Sequence, residues 1–311
     1  MLNELGFAPP QYVEGRATIA DMFKPDERCG VYVLHFSNGE LYAGQAKDVT
    51  RRYIQHCHTH RDIAQISFKP VSQDRLNEEE RSTIQELERR GWSLRNVIFT
   101  SIPKGDSDFD LIMPSEEQAQ WLDDLAVVDN KGERFVNPEL RRKFSGRFEK
   151  FMQSPYANQV LDVLKVYVST GIPVIRRGEV SFWCLSCMPK RNVYTRVNIY
   201  WQEVFTAFVH EKELWFSLHM ARSPLEKEFG SGLQQLFARH PTADHIDHQY
   251  EPGGQDQTSF EIPMTTTKAF IVEPAVTSAI RLLDLRLMKK GPCIYGRFHC
   301  MDLADKVLEV Q

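Results

Sequence analysis

The chain has 311 residues, 42% hydrophobic and 26% charged, with a formal net charge of −4. That is enough chain for two cores, in the balance of an ordinary soluble globular protein. The slight acidity excludes gripping nucleic acid by bulk positive charge, so such binding must come from local patches, oligomerisation or a metal. No apolar run approaches the length of a membrane span. The start, MLNELGFAPPQYVEGR, lacks a signal peptide's basic beginning and apolar middle. The expectation is a cytoplasmic protein with no membrane partner. Six cysteines, Cys29, Cys57, Cys184, Cys187, Cys293 and Cys300, are spread too widely for a disulfide framework.

Residues 1–28 read as a lead-in punctuated by Pro9, Pro10 and Pro25. GVYVLHF, from Gly30, predicts a strand, Asn38-Gly39 a hairpin turn, and LYAGQA the return strand. Asp48 is placed to cap a helix over VTRRYIQHCHTH. IAQISFKPV predicts a third strand. LNEEERSTIQELERRG predicts a second helix, capped by Asn77 and ended by Gly91. This β-β-α-β-α block closes near Phe99. TSIPKGDSDFDLIMP reads as a linker. Ser115 can cap EEQAQWLDDLAVV, and ELRRKFSGRFEKFMQ and PYANQVLDVLKVYVSTG follow as helices. From Glu179, EVSFWCLSCM, VYTRVNIYWQ, VFTAFVH and ELWFSLHM predict an antiparallel sheet. A helix SPLEKEFGSGLQQLFARH, a polar loop PGGQDQ, a strand KAFIVE and a helix AVTSAIRLLDLRLMKKG complete the chain. The expected class is α+β in three parts: residues 1–100, a linker and helical connector over 101–178, and a C-terminal α+β domain over 179–311.

One constellation stands out. Tyr32 and Tyr42 sit in neighbouring predicted strands, Arg52 follows on the next helix, and His56 lies one turn further. Glu80, sharing a helix face with Ile84 and Leu87, and Asn96 come later. Gly30-Val31-Tyr32 and Tyr42-Ala43-Gly44 resemble the two signatures of the GIY-YIG nuclease superfamily, and the arginine, histidine, glutamate and asparagine match its pattern in order. The resemblance covers roughly a quarter to a third of the chain. Ala43 departs from the family's isoleucine and reduces volume in the strand. Glu78 and Glu79 adjoin Glu80, but the helical spacing favours Glu80.

The resemblance implies a metal-dependent endonuclease acting on DNA, with RNA left open. Its roles here would be Tyr32 or His56 as general base, Tyr42 positioning water or phosphate, Arg52 stabilising charge, and Glu80 holding Mg²⁺ or Mn²⁺. Gly30, Gly44 and Asn96 would support the site. Beside the arginine and a divalent cation, a tyrosine pKa should fall from its usual value near 10. One site cuts one strand at a time, which suggests a homo-oligomer or two successive nicks. The setting favours a bacterial restriction or anti-phage enzyme. Two other classes stay open: an effector whose C-terminal domain binds a regulatory partner and gates the nuclease, and a catalytically quiet nucleic-acid binder.

Further candidates are weaker. His56 and His60 share a helix face as zinc ligands can, and CLSC at Cys184–Cys187 has zinc-knuckle spacing. A CxxC within a strand, however, points its thiols to opposite faces. CIYGRFHC offers Cys293, His299 and Cys300, and HPTADHIDH gathers His240, Asp244, His245, Asp247 and His248 without a metal pattern. KRNVYTRVNIYWQ interleaves Lys190, Arg191 and Arg196 with aromatic residues, as a backbone-tracking hairpin would. With Lys47 and Arg51 these are the expected nucleic-acid contacts.

Overall fold

Alternating Val, Tyr and Leu make GVYVLHF a strand with two different faces, and the Asn38-Gly39 turn folds LYAGQA back onto it. The computed structural model describes residues 2–96, 100, 107–128, 132–246 and 248–308. The chain divides into two units, Met1–Gly105 and Asp106–Gln311. The 100/101 boundary expected from the sequence falls beside residues 97–99 and 101–106, outside the described residues.

In the first unit, β1 (Gln11–Tyr12), β2 (Gly30–Phe36), β3 (Leu41–Ala46) and β4 (Ile63–Pro70) form an antiparallel sheet in the order β1-β4-β2-β3. β1 was not expected; it pairs Gln11 with Ile66 and brings part of the lead-in into the sheet. Gly39 takes φ +84° in the hairpin turn, a conformation glycine adopts without strain. Helix α1 (Val49–Thr59) starts where Asp48 accepts hydrogen bonds from the backbone N–H groups of Thr50 and Arg51. Helix α2 (Leu76–Arg89) starts differently from the expectation: a 3-10 turn over Gln73–Arg75 runs into it, and Asn77 is not its cap. Its side chain instead accepts from Gln45 Nε2 at 2.5 Å.

The two helices cover opposite faces of this sheet. Tyr32, Leu34 and Phe36 pack with Val49 and Tyr53 of α1. Val31, Val33 and Ala43 pack with Ile84 and Leu87 of α2. The two-residue period of β2 separates the two sets.

The second unit opens with α3 (Ser115–Asp123), α4 (Pro138–Met152) and α5 (Ala157–Gly171). Ser115 is the first helical residue rather than the cap, and Asn137 caps α4. β5 (Trp183–Lys190), β6 (Val193–Ile199), β7 (Gln202–His210) and β8 (Glu213–Met220) form the expected meander. Gly230, at φ +74°, divides the next predicted helix into α6 (Ser223–Phe229) and α7 (Gln234–Arg239). β9 (Asp244–Ile246) and β10 (Thr258–Pro263) complete a six-stranded antiparallel sheet in the order β5-β6-β7-β8-β10-β9. KAFIVE is not a strand. It belongs largely to α8 (Met264–Ile271), and the strand is the alternating TSFEIP just before it. A short apolar run does not separate strand from helix; here Thr267, Phe270 and Ile271 share one buried helical face. α9 (Pro274–Lys289) and an unforeseen α10 (Met301–Leu308) finish the unit.

The helices expected as a connector share a core with this sheet: Val160, Leu164 and Tyr167 of α5 pack with Phe205 and Phe216. Arg281 on α9 is fully buried and donates to the carbonyls of Trp121, Asp124, Leu125, Val127 and Thr170. These bonds tie the segment after α3 to the core. Among the described residues no helix is long and apolar enough to cross a membrane.

Candidate active site

The edge strand β3 organises the candidate site. Tyr32 stands opposite Gly44 and Leu34 opposite Tyr42, so both tyrosines lie on the α1 face. A Cβ on Gly44 would sit 2.4 Å from the Tyr32 hydroxyl and 3.0 Å from the Tyr42 ring. Only glycine there lets the Tyr32 ring lie across β3. Gly30 is fixed in the same way: its Cβ would meet the Lys69 carbonyl at 2.2 Å.

Tyr32 is 1% exposed, and its hydroxyl lies 2.7 Å from His56 Nε2. Arg52 Nε donates to the same hydroxyl at 3.3 Å. With Arg52 donating to that oxygen, we assign the phenol as hydrogen-bond donor to His56 Nε2, so the neutral imidazole carries its own proton on Nδ1. The Tyr42 and His56 rings lie 4.8 Å apart, and the two tyrosine rings 6.4 Å apart. The cluster therefore grades from a buried Tyr32–His56 pair to an exposed Arg52.

Electrostatics set the protonation states. Burial lowers His56 to about 4, and Arg52 and His60 add to the effect, so it is neutral at pH 7. Burial raises the Tyr32 phenol well above its usual value, and Tyr42 adds to the rise; the bond from Arg52 only partly opposes it. The fall expected beside an arginine and a divalent cation is not produced by Arg52 alone, because in this pocket desolvation outweighs the arginine. Tyr42 is raised for the same first reason. Hydrogen bonding to Tyr32 stabilises the charged form of Arg52.

Glu80 comes from α2, on the other face of the sheet. Gln45, opposite Val31 in register, points to that face, and its Nε2 donates to Glu80 Oε2 at 2.9 Å. Burial raises the Glu80 carboxyl, while Gln45 and then Arg52 pull it down. Tyr32 and Tyr42 both feel its charge, which places it within electrostatic reach of the cluster. Among the described residues Glu80 makes no ion pair, and no group of three or more His, Cys, Asp or Glu gathers anywhere. One half-buried carboxylate without a cationic partner suits a Mg²⁺ or Mn²⁺ ion that keeps most of its waters, and not a closed zinc site.

Gln45 was missed by sequence reasoning. The available signal was a polar side chain on the helix-covered side of a strand, next to the second signature. Asn96 accepts from Ala43 N at 2.9 Å and donates to Ala43 O at 2.7 Å, capping the edge of β3 at that residue.

The other candidates disperse. Lys47 and Arg51 are exposed beside the start of α1, and Arg51 lies 3.8 Å from Asp48. Lys190 and Arg191 are exposed at the β5–β6 turn, and Arg196 on β6 lies 2.8 Å from Glu203. Cys184 meets Cys293 and Cys187 meets Cys300, two separate thiol pairs from opposite faces of β5. His299 bonds to Glu179 at 3.0 Å inside the core. His56 and His60 stack 5.9 Å apart with no third ligand among the described residues. His240 faces Glu273, and His245 bonds to Thr258; Asp247 lies outside the described residues. No family model, curated protein or solved structure matches this chain.

Proposed function

We propose that the first unit is a GIY-YIG-type nuclease module that hydrolyses phosphodiester bonds in DNA with a divalent metal. The observation that carries this reading is the buried Tyr32–His56 hydrogen bond with Arg52 on the same phenol oxygen. A buried phenol with a raised pKa is a poor base alone. Paired with a neutral imidazole it can take a proton from the attacking water while passing its own to His56 Nε2. The two candidates for general base then act as one relay. The water oxygen bonds to phosphorus, the bond to the leaving oxygen breaks, and the water's proton ends in the pair. Tyr42, half-buried on β3, would hold the water or a phosphate oxygen. Arg52 is always charged and offers a planar fork to the non-bridging oxygens. Glu80 would hold the metal, which supplies Lewis-acid assistance to the leaving oxygen.

A single site of this kind cuts one strand at a time, so a double-strand break requires two copies of the chain or two successive nicks. The test is incubation of supercoiled plasmid and of an RNA hairpin with the full chain in Mg²⁺, in Mn²⁺ and in EDTA. Metal-dependent nicking of the plasmid is expected. Equal turnover in EDTA, or cutting of RNA alone, would contradict the reading.

A further inference from the structure

The second unit carries a cavity of about 430 Å³ on the outer face of its sheet, within the roughly 300–1,000 Å³ range of small-molecule sites. Ser186 pairs with Arg196 across β5 and β6, and Arg196 with Thr206 across β6 and β7, so these side chains share a face. Thr195 and Val197 face the helical core instead. A polar outer face is ordinary for an antiparallel sheet. This one is unusual in what it leaves unsatisfied.

Ser186 and Gln202 line the cavity and are 6% and 1% exposed, yet Ser186 Oγ and Gln202 Oε1 have no hydrogen-bond partner among the described residues. Arg196 Nε, also at the cavity, makes an ion pair with Glu203 but no aligned hydrogen bond among the described residues. Buried polar atoms normally find partners, so these three atoms lining one cavity point to a polar ligand. Beside them Tyr250 donates to Glu203 Oε1 at 2.7 Å, and Arg196 Nε lies 2.8 Å from Glu203 Oε2. Burial and the Glu203 carboxylate hold the Tyr250 phenol protonated. The polar floor is therefore fixed in place.

The walls have a different chemistry. Trp201 stacks on Tyr200 at 5.4 Å with 20° between rings, and is 47% exposed. A flat aromatic surface is thus presented to the opening. Arg147 of α4 lines the mouth. Lys143 and Arg297 stand 5.9 Å and 4.9 Å from the Phe298 ring, which forms part of the wall. Lys190 and Arg191 follow Pro189, another lining residue, at the exposed turn.

We propose that this cavity binds a nucleotide, with the base stacked on Trp201, its polar edge meeting Ser186 and Gln202, and its phosphate facing the cations of the rim. Stacking accepts any base, hydrogen bonding reads its edge, and a cationic rim holds the phosphate. The nucleotide can come from two sources, a free nucleotide or one extruded from a nucleic-acid strand. Binding itself stands on the second unit alone; only a link to cleavage rests on the nuclease reading.

The test is isothermal titration of the full chain in EDTA, where cleavage plays no part. The probes are the four deoxynucleoside 5′-monophosphates, the matching nucleosides, and a 12-residue single-stranded oligonucleotide. The variants are Trp201→Ala and Arg147→Ala, whose side chains lie outside the core. At least one monophosphate is expected to bind. Trp201→Ala should weaken it roughly tenfold or more, in line with the loss of base stacking. Arg147→Ala should bring nucleotide and nucleoside to similar affinity. An oligonucleotide that binds more tightly and is displaced by the monophosphate identifies a strand as the source; binding of the monophosphate alone identifies a free nucleotide. Absence of heat with every probe at millimolar concentration would overturn the proposal, as would binding that neither variant changes.

Discussion

The two sheets solve different problems. The four-stranded sheet of the first unit is covered on both faces, by α1 through Tyr53 and by α2 through Ile84 and Leu87, so what it leaves for a site is an edge, and the candidate site lies at the edge strand β3. Side chains from both faces converge there: Tyr32 and Tyr42 from one, Gln45 and Glu80 from the other. The six-stranded sheet of the second unit packs one face on helices and leaves a polar row on the other. Its cavity forms over that open face. A doubly covered sheet leaves its edges, where side chains from both faces can meet. A singly covered sheet leaves a face, where strand spacing sets a broad floor.

The edge site is the more fragile of the two, and the sharpest ways to break it act on the buried pair. Tyr32→Phe and His56→Ala should each lower kcat for cleavage by about 10²–10⁴, the usual range for a general base, with KM little changed. A double variant no worse than either single one would support the relay; fully multiplying losses, measured in single turnover, would break it.

Gly44→Ala attacks the geometry rather than the chemistry. Its methyl group would press on the Tyr32 hydroxyl from 2.4 Å. Overpacking of this kind costs about 1–3 kcal/mol, and Tyr32 must move away from His56. Urea unfolding with parallel activity assays reads both effects. Asn96→Ala should show the reverse balance: about 1–3 kcal/mol of stability lost through the unpaired Ala43 backbone, with the catalytic groups intact.

The pH response separates the pair from ordinary histidines. His56 titrates at about 4 when folded, against about 6.5 in an unfolded chain. Its contribution to stability is therefore whole above 6.5 and is lost as pH falls toward 4, because the unfolded state takes up the proton first. The acid limb of kcat/KM should lie near 4, not 6.5. His219 in the second unit is lowered to about 4 as well, so acid weakens both units; only the rate profile isolates His56. The smallest effect belongs to Arg51→Ala. Its exposed side chain should contribute a few-fold in DNA affinity and lower the salt slope by about one.

The edge site was largely legible in the sequence because its signals are local. A hairpin turn, a strand period and a helical period bring Tyr32, Tyr42, Arg52 and His56 together within 25 residues. The contribution of Gly44 and the Gln45–Glu80 bond depends on which atoms touch across β3, and no pattern in the chain carries that. Nor did spacing reveal that burial would outweigh Arg52 at the Tyr32 phenol. The cavity of the second unit was illegible for another reason. Its residues run from Arg147 to Phe298 and share no spacing rule. The KAFIVE misreading has the same origin, since a six-residue apolar run takes its conformation from the core around it.

The most direct measurement is plasmid cleavage in Mg²⁺ or Mn²⁺ by the wild-type chain, Arg52→Ala and Glu80→Ala side by side, with folding of each checked by circular dichroism. Nicking by the wild type is expected, with at least a roughly 10²–10³-fold loss in each folded variant, the scale of removing one charge-stabilising group. Folded variants that cut as fast as the wild type would contradict the nuclease reading, because the cleavage would then come from somewhere other than the edge of β3.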